Sequence, residues 1–213
     1  MSAGILGEIV AGHLRGIPRM NVQQFEKYMA SGAVAENIRC ELLDGYPVIR
    51  DSAATGEDPM IMGHRHALVV NALTSRLVMA LAGSNWSVNC QTPIYLNSFN
   101  RVEPDLTIIR GRSADYAPNY PSPAEVALII EISDSSVEAD RITKLEKYAL
   151  EGIAVYWIVN LREERIEIYE LPEGEHGSYT KCRIYYDNQA VELSITGIAT
   201  QTLSVKCILD GTV

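Results

Sequence analysis

The sequence predicts a mixed α/β (α+β) fold: a mixed central sheet flanked by helices, with additional antiparallel strands. Three stretches carry that expectation. Ala127 to Ile132 is a run of branched apolar residues broken only by Glu131, and Val155 to Asn160 is a second such run. Runs of this length, apolar on both alternating faces, read as strands buried on both sides. Between them Ile142, Leu145 and Ala149 recur at helical spacing and Gly152 supplies a stop. A strand, a helix and a returning strand form a right-handed crossover, so the two strands are expected to be parallel. The third stretch is Ile38 to Ile49, centred on Asp44-Gly45, a strong short hairpin signal.

The other elements follow in order. Met1 to Met20 reads as an N-terminal arm, and residues 21–213 as a single domain. Asn21 is a candidate cap for a helix over Val22 to Ser31, with Phe25, Tyr28 and Met29 as its apolar stripe and Gly32 as its end. Asp51 to Gly63 reads as a polar connection. His64 to Ala82 reads as a long helix with Leu68, Val69, Ala72, Leu73, Leu77 and Leu81 on a broad apolar face. Trp86 to Leu96 reads as one strand, with Pro93 implying an edge or a bulge. A strand entering Leu106 to Ile109 follows, then a proline-rich loop over Arg110 to Pro123 at the mouth of the site. Arg165 to Glu170 alternates Ile166 and Ile168 with Glu167 and Glu170, a half-buried strand, and the strands Tyr179 to Tyr186 and Ala190 to Ile195 continue it as a meander. Ile198 to Leu209 is a short apolar tail.

At 47% hydrophobic and 21% charged, the chain has the composition of an ordinary globular protein. Its formal net charge of −9 argues against strong nonspecific binding to nucleic acid, which relies on Lys and Arg neutralising phosphates. Cys40, Cys90, Cys182 and Cys207 form no C-x2-C pair, so zinc is not expected. They read as reduced, mostly buried thiols of a cytoplasmic protein. The sequence has no 18-residue apolar span, and no membrane association is expected. A homodimer is expected if the arm or the late strands leave a sheet edge open.

The chemistry gathers in two places. Glu131 lies in a strand that should be buried, where a carboxylate must be paired, hydrogen-bonded or bound to a cation. The helix after it carries Asp140, Lys144 and Tyr148 at i, i+4 and i+8, one side of one helix. Upstream, Glu103 and Asp105 flank Pro104 and share a face at the two-residue period of a strand. Acid, acid and lysine suit a divalent-metal phosphodiesterase. Hard carboxylate oxygens hold Mg²⁺, the ion activates a water, and the ammonium positions or polarises it.

The ordered set Pro104-Asp105, then Glu131-Ile132-Ser133, then Asp140-Arg141 with Lys144 and Tyr148, then Tyr156 to Val159 resembles the Uma-two restriction-endonuclease family of the PD-(D/E)XK nuclease superfamily. The resemblance spans Gln23 to Tyr185. It implies a restriction-endonuclease-like core and an endonuclease that hydrolyses phosphodiester bonds in nucleic acid, DNA by preference, with Mg²⁺ or Mn²⁺. It assigns Asp105, Glu131 and Lys144 as catalytic. Ser133 stands where the superfamily's usual lysine would be, and Lys144, on the following helix, matches the family's relocated lysine. Asp105 and Glu131 are the expected metal ligands, with the backbone carbonyl of Ile132 completing the set. Glu41 matches the acid of the family's hairpin and His66 its histidine at a helix start. With Glu103, Asp140 and Tyr148 they are accessory candidates. The alternative is a catalytically degenerate nuclease-fold protein acting as a binding or interaction module, which the net charge favours.

Overall fold

The computed structural model describes residues 18–35, 38–49, 59–117, 119–134 and 137–212, and of residues 59–62 it describes the backbone. Most of the expected arm lies outside these residues. Asn21 caps helix α1 (Val22–Ala30): its side chain accepts the Gln24 N–H at 2.9 Å, and the Gln24 side chain accepts the Asn21 N–H at 2.9 Å. Two orphan donors are thereby satisfied reciprocally. Strands β1 (Cys40–Leu43) and β2 (Tyr46–Ile49) pair as the expected hairpin. Asp44 and Gly45 both take positive φ, 50° and 84°, the backbone that a two-residue I′ turn needs. A Cβ on Gly45 would also lie 2.8 Å from the Arg19 Cβ. Gly45→Ala should therefore lower stability by more than about 1 kcal/mol; an unchanged urea midpoint would contradict this.

Two sheets frame the molecule. A four-stranded sheet has the order β2-β1-β5-β4, with β4 at Ile94–Asn97 and β5 at Asn100–Val102. A six-stranded sheet has the order β10-β9-β8-β7-β6-β3. Its strands are β3 (Trp86–Cys90), β6 (Leu106–Arg110), β7 (Val126–Ser133), β8 (Val155–Asn160), β9 (Arg165–Glu173) and β10 (Ser178–Tyr186). β7 and β8 run parallel, as the crossover requires, and their neighbours run antiparallel, so the sheet is mixed. One face packs Leu106, Ile108, Leu128 and Ile130 against Val69, Leu73 and Leu77 of helix α2 (Pro59–Ala80). The other packs Ile129 and Ile158 against Tyr148 and against Leu43, Ile94 and Val102 of the four-stranded sheet. The crossover consists of α3 (Val137–Ala139), a wide π-type turn at Asp140–Lys144, and α4 (Leu145–Leu150). Gly152 ends it at φ 71°.

Several expectations are corrected. α2 begins at Pro59, not His64, because a proline is tolerated in the first helical turn, where its missing N–H has no partner to lose. Trp86 to Leu96 is two strands in different sheets, separated by Gln91 at φ 47° and by Pro93. Glu103 to Asp105 links the sheets rather than forming a strand, so the two-residue period does not govern their side chains. The loop after Arg110 leaves β6 at the end opposite Asp105, and its Tyr120 returns to pack on Tyr95 and Arg101 of the smaller sheet. β11 (Ala190–Leu193) pairs with β12 (Gln201–Ser204) in a separate two-stranded sheet instead of extending the meander, and the short helix α5 (Val205–Leu209) follows. Of the cysteines only Cys40 is buried; Cys90 and Cys182 are exposed. No helix among the described residues is long and apolar enough to cross a membrane.

Candidate active site

Strand pairing brings the first two acids to one end of the β6–β7 ladder. β6 and β7 pair with Leu106 opposite Ile130, and Asp105 stands just before Leu106 while Glu131 stands just after Ile130. The Ile132 N–H donates to Asp105 Oδ2 at 2.9 Å, which fixes that carboxylate against the β7 backbone. Successive residues alternate faces: Ile130 and Ile132 join the α2 side of the core, and Glu131 turns to the other side, where it is 0% exposed.

The crossover helix brings the rest. Of the expected apolar row, Ala149 is buried and Leu145 packs on the core, but Ile142 is 67% exposed, while Asp140, Lys144 and Tyr148 are all buried. The π-type turn inserts an extra residue per turn and shifts the helix phase, a feature concentrated at functional sites. Lys144 Nζ then lies 2.6 Å from Glu131 Oε1, 3.2 Å from Glu41 Oε1 and 3.8 Å from Asp140 Oδ1. Tyr148 donates its hydroxyl to Glu131 Oε1 at 2.9 Å. Burial, and then the Glu131 carboxylate, hold the Tyr148 phenol well above its usual range, so it stays a donor. Ser133, where a superfamily lysine was the alternative, donates to Asp140 Oδ2 at 2.5 Å.

The second sheet closes the site. Glu41 in β1 is buried rather than solvated, and its Oε1 accepts the Glu103 N–H at 2.8 Å. The Glu103 side chain turns away to Arg101, at 2.8 Å, so its contribution here is its backbone. His66 Nε2 lies 3.0 Å from Asp105 Oδ2, and Arg39 Nη1 lies 3.6 Å from Asp105 Oδ1. Arg39 carried no signal in the sequence, since a single arginine before a strand has neither period nor motif. His64 is exposed.

Glu41, Glu131 and Asp140 are thus buried around one buried ammonium, and Asp105, also buried, meets His66 and the half-buried guanidinium of Arg39. Burying several charges together costs more in lost solvation than a packed apolar core would, so such clusters point to chemistry rather than stability. Among the described residues no group of three or more His, Cys, Asp or Glu forms a ready cation cage. The donor set nevertheless suits a hard cation, because Mg²⁺ takes one or two carboxylates and keeps several waters. In a strand the N–H and C=O of one residue point to the same side. The Ile132 carbonyl therefore faces the Asp105 side, beyond the last β6–β7 pair.

A family model described as Uma2, "putative restriction endonuclease", matches residues 22–206. The chain belongs to the Uma2 family. A crystal structure of a "putative nuclease belonging to DUF820" from Anabaena variabilis is similar to it at TM-score 0.63, with 13% identity, covering 91% of this chain and 99% of that one. That likeness establishes the shared fold. No curated protein matches. Membership in the Uma2 family supports a nuclease function.

A second ionic group flanks the site on the same Uma2 sheet face, and the sequence had read its centre as facing solvent. Glu167 is 2% exposed. Burial pushes its carboxyl up, but hydrogen bonds from Arg141, Tyr169 and Arg165 outweigh this and hold it at about 2. Because the folded value lies below the ordinary 4.5, the unfolded chain takes up the proton first as pH falls. The stability this group contributes, about 3 kcal/mol, is full above pH 4.5 and is lost as pH falls toward 2. Glu167→Gln should therefore be less stable than the parent at pH 7, with the gap narrowing in acid; a pH-independent gap in thermal unfolding would contradict this.

Proposed function

We propose that this protein is a metal-dependent endonuclease that hydrolyses phosphodiester bonds in DNA. The observation that supports it most is the contact of Lys144 Nζ with Glu131 at 2.6 Å, one β7 residue from the backbone group that holds Asp105. Asp105, Glu131 and the Ile132 carbonyl would hold Mg²⁺ or Mn²⁺. An ion bound there supplies Lewis-acid stabilisation of the phosphate and a water of lowered pKa.

The chain's own groups do the remaining work. Lys144 hydrogen-bonds the attacking water and holds it in line with the scissile bond. As the water oxygen bonds to phosphorus the P–O ester bond breaks, leaving a phosphate on one product and a hydroxyl on the other. Tyr148 fixes the Glu131 oxygen that Lys144 also touches. His66 and the Ile132 N–H orient Asp105. Asp140, tied to Ser133, keeps a third acid beside the ammonium. Arg39, at the rim, meets the phosphate. We also propose a homodimer, because β3 and β10 end the larger sheet as edges that can pair.

The net charge of −9 favours a second reading, a binding module that keeps the fold without cleavage. Incubating supercoiled plasmid with the protein and Mg²⁺ or Mn²⁺ separates the two, with calorimetric titration of the metal alongside. The endonuclease nicks the plasmid, stops when EDTA is added, and binds the ion at millimolar concentration or below. Neither cleavage nor metal uptake leaves only the second reading.

A further inference from the structure

The strand register places a second carboxylate in line with the site. Glu131 of β7 is paired with Ile158 of β8, and Ile158 with Glu167 of β9. Paired residues share a face, so both acids rise from the same side of the sheet, two strand spacings or about 10 Å apart. The π-type turn Asp140–Lys144 lies over that row. Its two cations each reach a different acid of that row: Lys144 takes Glu131 at 2.6 Å, and Arg141 takes Glu167.

The Arg141 contact is made by two hydrogen bonds. Arg141 Nε donates to Glu167 Oε2 at 2.9 Å and its Nη2 to Glu167 Oε1, a two-pronged fork. Such forks fix orientation as well as distance. Glu167 is itself held by Arg165 at 3.0 Å and by the Tyr169 hydroxyl at 2.8 Å. Arg141 also reaches Glu163, at 3.2 Å. A π-type turn is a rare and less favoured winding, so an outside anchor is needed to hold its phase. Asp140 is tied to Ser133 on β7 while Arg141 is tied to β9, so the turn is pinned on two strands.

We infer that Arg141, through its fork on Glu167, is the positioning residue that sets where the Lys144 ammonium sits. Arg141 touches neither substrate nor metal; it fixes the rotation of the turn, and through it the reach of Lys144. The catalytic consequence rests on the endonuclease reading above, while the structural one does not. The two are therefore tested by separate readouts on the same proteins.

Arg141→Gln removes the fork, and Arg141→Lys keeps the charge without it. Each is compared with the parent in plasmid cleavage and in ¹⁵N NMR of the lysine ammonium groups, with the Lys144 signal assigned from Lys144→Met. In the parent, the Lys144 ammonium should give a sharp, slowly exchanging signal. In both variants it should broaden or exchange faster, and kcat should fall by roughly tenfold to a hundredfold with KM changed less than about twofold. Should Arg141→Gln fail to fold, Arg141→Lys decides alone. An unchanged Lys144 signal in folded variants overturns the positioning role, as does an unchanged kcat in an active enzyme. If the parent does not cleave DNA, yet the Lys144 signal is lost in both variants, the endonuclease reading fails and the positioning role stands.

Discussion

Asp105→Ala and Glu131→Ala should each reduce metal-dependent DNA cleavage by about a thousandfold or more. A metal ion contributes several kcal/mol of charge stabilisation at a phosphate, and about 4 kcal/mol corresponds to a thousandfold in rate. Loss of either leaves one carboxylate, the fewest by which Mg²⁺ is usually held, so the ion binds more weakly and is no longer fixed between two acids. The fold should survive Glu131→Ala in part, because Lys144 keeps Glu41 and Asp140 within 3.2 and 3.8 Å. Glu131→Gln, nearly the same in shape, controls for the cavity. Supercoiled-plasmid relaxation, with the melting temperature of each variant as the check on folding, reads the effect. Parent-level cleavage by either alanine variant would place the chemistry elsewhere.

Lys144→Met should destabilise the fold by about 3–5 kcal/mol, the range for removing one partner of a buried ion pair. The substitution keeps an unbranched stem as long as that of lysine to Cε and removes the ammonium that lies among Glu41, Glu131 and Asp140, each buried. Carboxylates grouped without that cation repel one another and have little water to screen them. Adding Glu131→Gln to Lys144→Met should then recover part of the loss, because one repelling charge has gone. Contacting residues of this kind couple by about 0.5–3 kcal/mol in a double-mutant cycle. Additive losses, or a Lys144→Met variant as stable as the parent in urea, would mean that the ammonium does not hold these acids together.

Local signals were legible where one residue type answers one local need. Asn21 satisfies a helix end, Asp44-Gly45 a tight turn with positive φ, and Gly152 a helix stop, and all three stand where the sequence put them. The order of Asp105, Glu131 and Lys144 was legible too, because a carboxylate inside an apolar strand announces a partner. What the sequence hid depends on long-range contact or on a broken period. The π-type turn displaces the 3.6-residue repeat, so Ile142 looked inward and lies out. Glu167 alternates like a surface residue, and only the arrival of Arg141 from the preceding crossover explains its burial. Glu103 and Asp105 obeyed the strand period on paper, but the chain changes sheets between them and Glu103 goes to Arg101. Arg39 became visible only when the start of β1 was placed beside Asp105.

The central claim is that the Asp105 and Glu131 carboxylates serve one divalent ion within reach of the Lys144 ammonium. Crystals grown with Mn²⁺ test it most directly through the anomalous scattering of the metal. A single strong peak at coordination distance from both carboxylates, with Lys144 Nζ facing the metal-bound water, is the predicted result. Mn²⁺ that binds elsewhere, or a site that stays without metal at tens of millimolar Mn²⁺ while Lys144 keeps its contact with Glu131, would contradict it.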